Sequence, residues 1–137
     1  MRAQVVAGRN EDGGRIKELV MNSGFAPETI DFLDWSDIEP YWLVARLENG
    51  IVGCIQWAIA KPIGRIEYLS TEEDLAHIQR ARVVKALLET SLSVLTQAGC
   101  QLASGTVPFG YKSYARLLKK RGAVKQAQGN VFIKRLM

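Results

Sequence analysis

No acidic residue follows Glu89. All 14 aspartates and glutamates of this 137-residue chain lie at or before that position, so residues 1–89 carry a net charge of −4 and residues 90–137 carry +8. Such a split excludes a uniformly acidic, solvating chain. It offers one basic region that can face phosphates or stand as a solvated helix face. Histidine occurs once, at His77. With no second His or Cys at ligand spacing, no metal site is expected. Cysteine occurs only at Cys54 and Cys100, both in apolar contexts and far apart. They read as buried free thiols in a reducing compartment, with a disulfide or a nucleophile as the alternative. A cytoplasmic protein is the provisional consequence. No apolar run approaches the roughly 18 residues of a membrane span. Met1-Arg2-Ala3-Gln4 lacks the apolar core of a signal peptide, so no membrane partner is expected. Repeats, low-complexity tracts and linkers are missing too. One domain over residues 1–137 is expected, large enough for a core without staples.

What is present is organised around residues 65–99. Arg65-Ile66-Glu67-Tyr68-Leu69-Ser70 reads as a strand, residues 71–76 as a polar loop, and Gln79 to Ala98 as a long helix stopped by Gly99. Val84, Leu87, Leu88, Leu92, Leu95 and Ala98 form the apolar stripe of a helix lying on a sheet. Arg82, Lys85, Glu89 and Gln97 occupy its other side.

Before it come a strand at Gln4–Ala7, a helix from about Arg15 to Asn22 with Ile16, Leu19 and Val20 inward, and a short helix opened by Pro27 with Ile30 and Leu33 inward. From Glu28 to Glu39 there are five acids and no base, with Trp35 among them. Tyr41–Leu47 and Ile51–Ile59 read as strands joined at Asn49-Gly50, a strong hairpin signal. Lys61-Pro62-Ile63-Gly64 turns into the strand at Arg65. After Gly99, Gln101–Val107 is a strand whose crossover implies parallel pairing. Tyr111–Arg121 is a helix with Tyr114, Leu117 and Leu118 inward. Ala123-Val124 and Val131–Ile133 read as a final antiparallel pair. The fold class is α+β, a mixed and mostly antiparallel sheet with helices on both faces.

A helix N-terminus presents free backbone N–H groups and the positive end of a dipole, so it can hold phosphate. Here it reads Gln79-Arg80-Ala81-Arg82-Val83-Val84. That segment, with the strand before it and the order of segments around it, resembles motif A of the GNAT acyl-CoA N-acetyltransferases. Gln79 matches the motif's first position, while Arg82 and Val84 stand where the family has small residues. The hairpin Leu47–Gly53 and the tail Tyr114–Ala123 resemble the family's corresponding segments, with Ala123 in place of an aromatic.

The resemblance implies acetyl-CoA as cosubstrate and transfer of its acetyl group to an amine. It implies cofactor contacts at Gln79, Arg80, Ala81, Arg82, Val83 and Val84, and pantetheine on the backbone of Leu69-Ser70-Thr71. Arg80 and Arg82 can also meet phosphate with their side chains, or stay solvated. Glu67 stands where glutamates serve as base in some relatives; a solvated strand residue or a partner for Arg65 or Lys61 is the alternative. The family often has a tyrosine acid at the position of Leu118 here. Tyr111 lies earlier on that helix and can face the cleft, whereas Tyr114 reads as core. The acidic 28–39 segment lies where relatives bind acceptors, which implies a cationic small-molecule or peptide amine; Trp35 can flank it. A GNAT-fold binding module without catalysis is the alternative function. Nucleic-acid binding by the basic C-terminal third is disfavoured by its few stacking aromatics. A homodimer remains open.

Overall fold

The computed structural model describes residues 2–106, 112–125 and 131–136. In chain order these form β1 (Gln4–Ala7), a 3-10 turn (Asn10–Asp12), α1 (Gly13–Met21), α2 (Pro27–Phe32), β2 (Trp42–Leu47), β3 (Gly50–Ala60), β4 (Ile63–Thr71), α3 (His77–Gln97), β5 (Leu102–Thr106), α4 (Lys112–Lys120), β6 (Val124–Lys125) and β7 (Val131–Arg135). The strands make one sheet in the order β1-β2-β3-β4-β5-β7-β6. Among the described residues, β4 and β5 run parallel and the other pairs are antiparallel. The expected α+β architecture is the observed one.

Strand alternation sends side chains to two cores. Trp42 and Val44 of β2 join Ile16, Leu19, Val20, Ile30 and Ile38 on the α1–α2 face. Leu43 and Ala45 join Val83, Leu87, Leu88, Leu95 and Leu118 on the α3–α4 face. A central strand buried on both sides has to be apolar throughout, as β2 is until Arg46. The β2–β3 turn closes with Gly50 at φ 126, a backbone conformation that favours glycine.

The central helix buries Leu87, Leu88 and Leu95 as expected, but departs from expectation at its start and at the margins of its stripe. It opens at His77, not Gln79. Its buried residues are Val83, Leu87, Leu88, Ser91 and Leu95, whereas Val84, Leu92 and Ala98 lie half-buried at the margin. Ser91 hides this row from a reading of apolar periodicity. Its hydroxyl donates to the Leu88 carbonyl at 2.9 Å, which satisfies the buried oxygen. Gly53 of β3 lets the helix sit close: a Cβ there would stand 2.8 Å from Val83 Cγ1. Among the described residues, no helix is long and apolar enough to cross a membrane.

Candidate active site

β4 and β5 pair from Ile63↔Leu102 to Ile66↔Gly105 and then part. β4 continues to Thr71 against β3, with Cys54↔Ser70 and Gly53↔Thr71 as the last pairs. β5 continues to Thr106 against Val131 of β7. The parting coincides with a bulge. Gln56 pairs with Glu67 and Cys54 with Ser70, so Tyr68 and Leu69 both stand opposite Ile55. Tyr68 takes φ 58. That left-handed conformation costs a bulky residue about 1–3 kcal/mol and persists only where packing enforces it. The enforcement is visible. The Tyr68 ring stacks on Trp42 at 6.0 Å between centroids and meets Phe25 edge-on at 5.2 Å. Ser70 Oγ donates to the Tyr68 carbonyl at 2.9 Å. An extra residue bends a strand and raises its twist. Past Ile66, one edge of β4 therefore has no strand partner among the described residues.

Glu67 stands at this fork, half-buried. Its Oε1 accepts from Thr106 Oγ1 at 3.4 Å across the opening. Burial raises its pKa, and the Thr106 hydroxyl and the Arg65 charge offset part of the rise. A carboxylate so placed is a stronger base than one in water. The phenols of Tyr68 and Tyr114 are also pushed up, first by burial and then by the charge of Glu67. Tyr114 is thus core, as its periodicity implies, and also a neighbour of Glu67 from α4. Leu118 is buried and carries no proton. Tyr111, the expected partner of Glu67, lies outside the described residues.

The head of α3 follows the end of β4 after residues 72–76, and the helix packs on β3 at Gly53. Its N-cap, Ala76, provides no side-chain bond, and its first turn holds no acid. The amide of Arg80 donates to the Ala76 carbonyl at 2.8 Å, so the amides of His77 and Ile78 precede the first bond of the helix. The side chains from Gln79 to Val84 lie in different settings. Arg80 Nη2 donates back to the carbonyls of Glu72 at 3.2 Å and Glu73 at 2.6 Å. Ala81 and Arg82 are exposed, Val83 is sealed in the core, and Val84 is half-buried. Ser70 is buried, while Thr71 is half-buried, at the end of β4.

The acidic segment is partly structural. Glu39 Oε2 accepts from the Asn10 amide at 3.1 Å. Asp34 accepts from Ser36 N and Oγ at 3.0 and 2.6 Å, bonds that lower its pKa. Trp35 donates its indole N–H to the Ile30 carbonyl at 3.0 Å and tilts against Trp42 at 5.8 Å, which makes it a wall of the α1–α2 core. Sequence reasoning missed Thr106, Tyr68 and Phe25. Thr106 had a weak signal, a hydroxyl near the end of the strand expected to run parallel to β4. Tyr68 had none, because tyrosine does not favour a positive φ.

No protein-family model matches the sequence, and no curated protein matches it. Solved structures do resemble it. Ard1 from Thermoplasma volcanium superposes with a TM-score of 0.79 at 15% identity, covering 100% of this chain and 99% of that one. An acetyltransferase of the GNAT family from Staphylococcus aureus gives 0.77 at 12% identity, over 98% and 99% of the two chains. A PaiA N-acetyltransferase from Thermoplasma acidophilum, in complex with coenzyme A, gives 0.73 at 15% identity over 98% and 99%. At these identities the likeness is one of fold.

Proposed function

We propose that this chain, built on the GNAT fold, transfers an acetyl group from acetyl-CoA to an amine. The observation that carries the reading is the fork: an unpaired β4 edge leads on to an uncapped helix head, and a half-buried carboxyl on β4 meets Thr106 across the opening. The free edge of Leu69-Ser70-Thr71 suits the amides of a pantetheine arm, which would bond to it as an added strand does. The amides of His77 and Ile78, with the exposed Arg82 guanidinium, suit the pyrophosphate. Acetyl-CoA supplies an activated thioester acyl group.

The chain's own residues would do the rest. Glu67 takes the proton that the amine loses as its nitrogen bonds the acyl carbon. Tyr111, the phenol expected to face the cleft, returns a proton to the departing sulfur as the carbon–sulfur bond breaks. The acids of residues 28–39 that make no bond of their own favour a cationic acceptor, a small molecule or a peptide amine. Cys54 and Cys100 are free and buried, which agrees with a reducing, cytoplasmic setting.

A second reading has one observation behind it. Arg82 and Val84 occupy positions held by small residues in the family, and the segment they belong to is closed helix. A binding module that keeps the fold and has lost turnover accounts for this. Thermal denaturation with and without acetyl-CoA, followed by thiol release on a panel of polyamines and peptides, separates the two. A raised midpoint with release supports transfer, a raised midpoint without release supports the module, and no shift removes both.

A further inference from the structure

Glu72, the first residue past β4, ties three segments together. Its amide donates to the Val52 carbonyl of β3 at 2.8 Å. Its carboxylate pairs with the Arg15 guanidinium of α1, both side chains only 30% exposed. Its carbonyl accepts from Arg80 of α3. Arg15 is itself fixed, since Nε and Nη2 donate to the Ile51 carbonyl at 3.1 and 2.9 Å and Nη1 meets Glu18 at 2.5 Å. Arg80 Nε is enclosed without a partner, so its guanidinium is oriented by the two loop carbonyls. The head of α3 has no side-chain cap. Its first turn is instead braced through Arg80, Glu72 and Arg15 to the far face of the sheet.

We propose that Glu72 and Arg15 are positioning residues that set the head of α3 for the phosphates of acetyl-CoA. This rests on the cofactor placement argued above. The sign of one substitution distinguishes positioning from bulk charge. Glu72→Gln removes a negative charge near an anion site, so Coulomb attraction alone would tighten binding. Loss of the brace would weaken it. Glu73→Gln removes the same charge one residue on, from an exposed side chain, and supplies the control.

Coenzyme A affinity is measured by titration calorimetry on the full chain. Amide hydrogen exchange is followed at Arg80–Val83, and at Leu87 and Leu88 as a reference for global opening. The expected result for Glu72→Gln is roughly tenfold weaker coenzyme A binding, with faster exchange confined to Arg80–Val83. Glu73→Gln should bind equally or more tightly. Arg15→Gln should match Glu72→Gln, and the double variant should be no worse than either, because the two act as one pair. Arg15→Lys keeps the charge without the fork geometry and should recover only part. Tighter binding by Glu72→Gln, or unchanged exchange at Arg80–Val83, overturns the inference. If the parent chain binds no coenzyme A, the cofactor placement fails, and the exchange rates alone decide whether the pair positions the helix head.

Discussion

Glu67 stands at the fork on β4, and the buried phenol of Tyr114 on α4 feels its charge. Burial favours the protonated form of both, while each ionised group would oppose ionisation of the other. For Glu67 this has a stability consequence of definite sign. A carboxyl whose pKa is higher folded than unfolded adds stability at low pH and loses it as pH rises through the raised value. Glu67→Gln cannot ionise. The melting temperatures of variant and parent should coincide near about pH 4, and the variant should melt higher at neutral pH. A parent that is the more stable at neutral pH would mean that Thr106 and Arg65 outweigh burial. The same substitution should lower turnover by about 10²–10⁴-fold while leaving coenzyme A affinity nearly unchanged, since a base acts in the transition state. Glu67 was legible as a strand carboxyl beside the cleft. The bulge at Tyr68 that opens the cleft was not, because a stacked ring on Trp42 and a T-shaped contact with Phe25 are long-range facts that override a local preference.

The fit of α3 on β3 governs where the helix head stands. Gly53 faces Val83 and Leu87, and an added Cβ would lie 2.8 Å from Val83 Cγ1, 3.0 Å from Leu87 Cδ1 and 3.3 Å from the Ser70 carbonyl. Val83 is stiff and the carbonyl belongs to β4, so relief has to come from lifting the helix. Gly53→Ala should cost about 1–3 kcal/mol, read from the urea midpoint at constant slope. It should also weaken coenzyme A binding, because the lifted end carries His77 and Ile78. Unchanged affinity in a destabilised Gly53→Ala protein would put the phosphates elsewhere than the helix head. Segment order and strand limits were legible here because hairpin and helix-stop signals are local, as at Asn49-Gly50 and Gly99. Leu87, Leu88 and Leu95 of the helix stripe were legible, while Val83 and Ser91 were not. Ser91, polar yet wholly buried, interrupts the apolar row, and Val84 and Leu92 at the margin supply a false one.

Charge is distributed over the fold less unevenly than along the chain. Glu89, the last acid, pairs with Arg121 at 2.5 Å across the α3–α4 junction. Lys134 donates to the Arg121 carbonyl. Arg121 and Lys134, with Lys85, Lys120, Leu92 and Leu117, line a groove of about 470 Å³. Part of the C-terminal excess is therefore spent inside the structure, while Arg116, Lys119 and Lys120 remain exposed. A duplex should find few phosphate contacts on such a surface. Affinity for nonspecific DNA should be weak, fall with salt at a log–log slope of roughly −0.9 per phosphate contacted, and vanish near physiological ionic strength. Reversing Lys119 and Lys120 to glutamate should abolish that residue of binding. Coenzyme A affinity should survive the reversal, since both side chains sit at the C-terminal end of α4 and the proposed phosphate site lies at the N-terminal end of α3. Salt-resistant, sequence-selective DNA binding would displace acetyl transfer as the leading reading. Equal loss of both ligands would instead move the phosphates from the head of α3 into the α3–α4 groove.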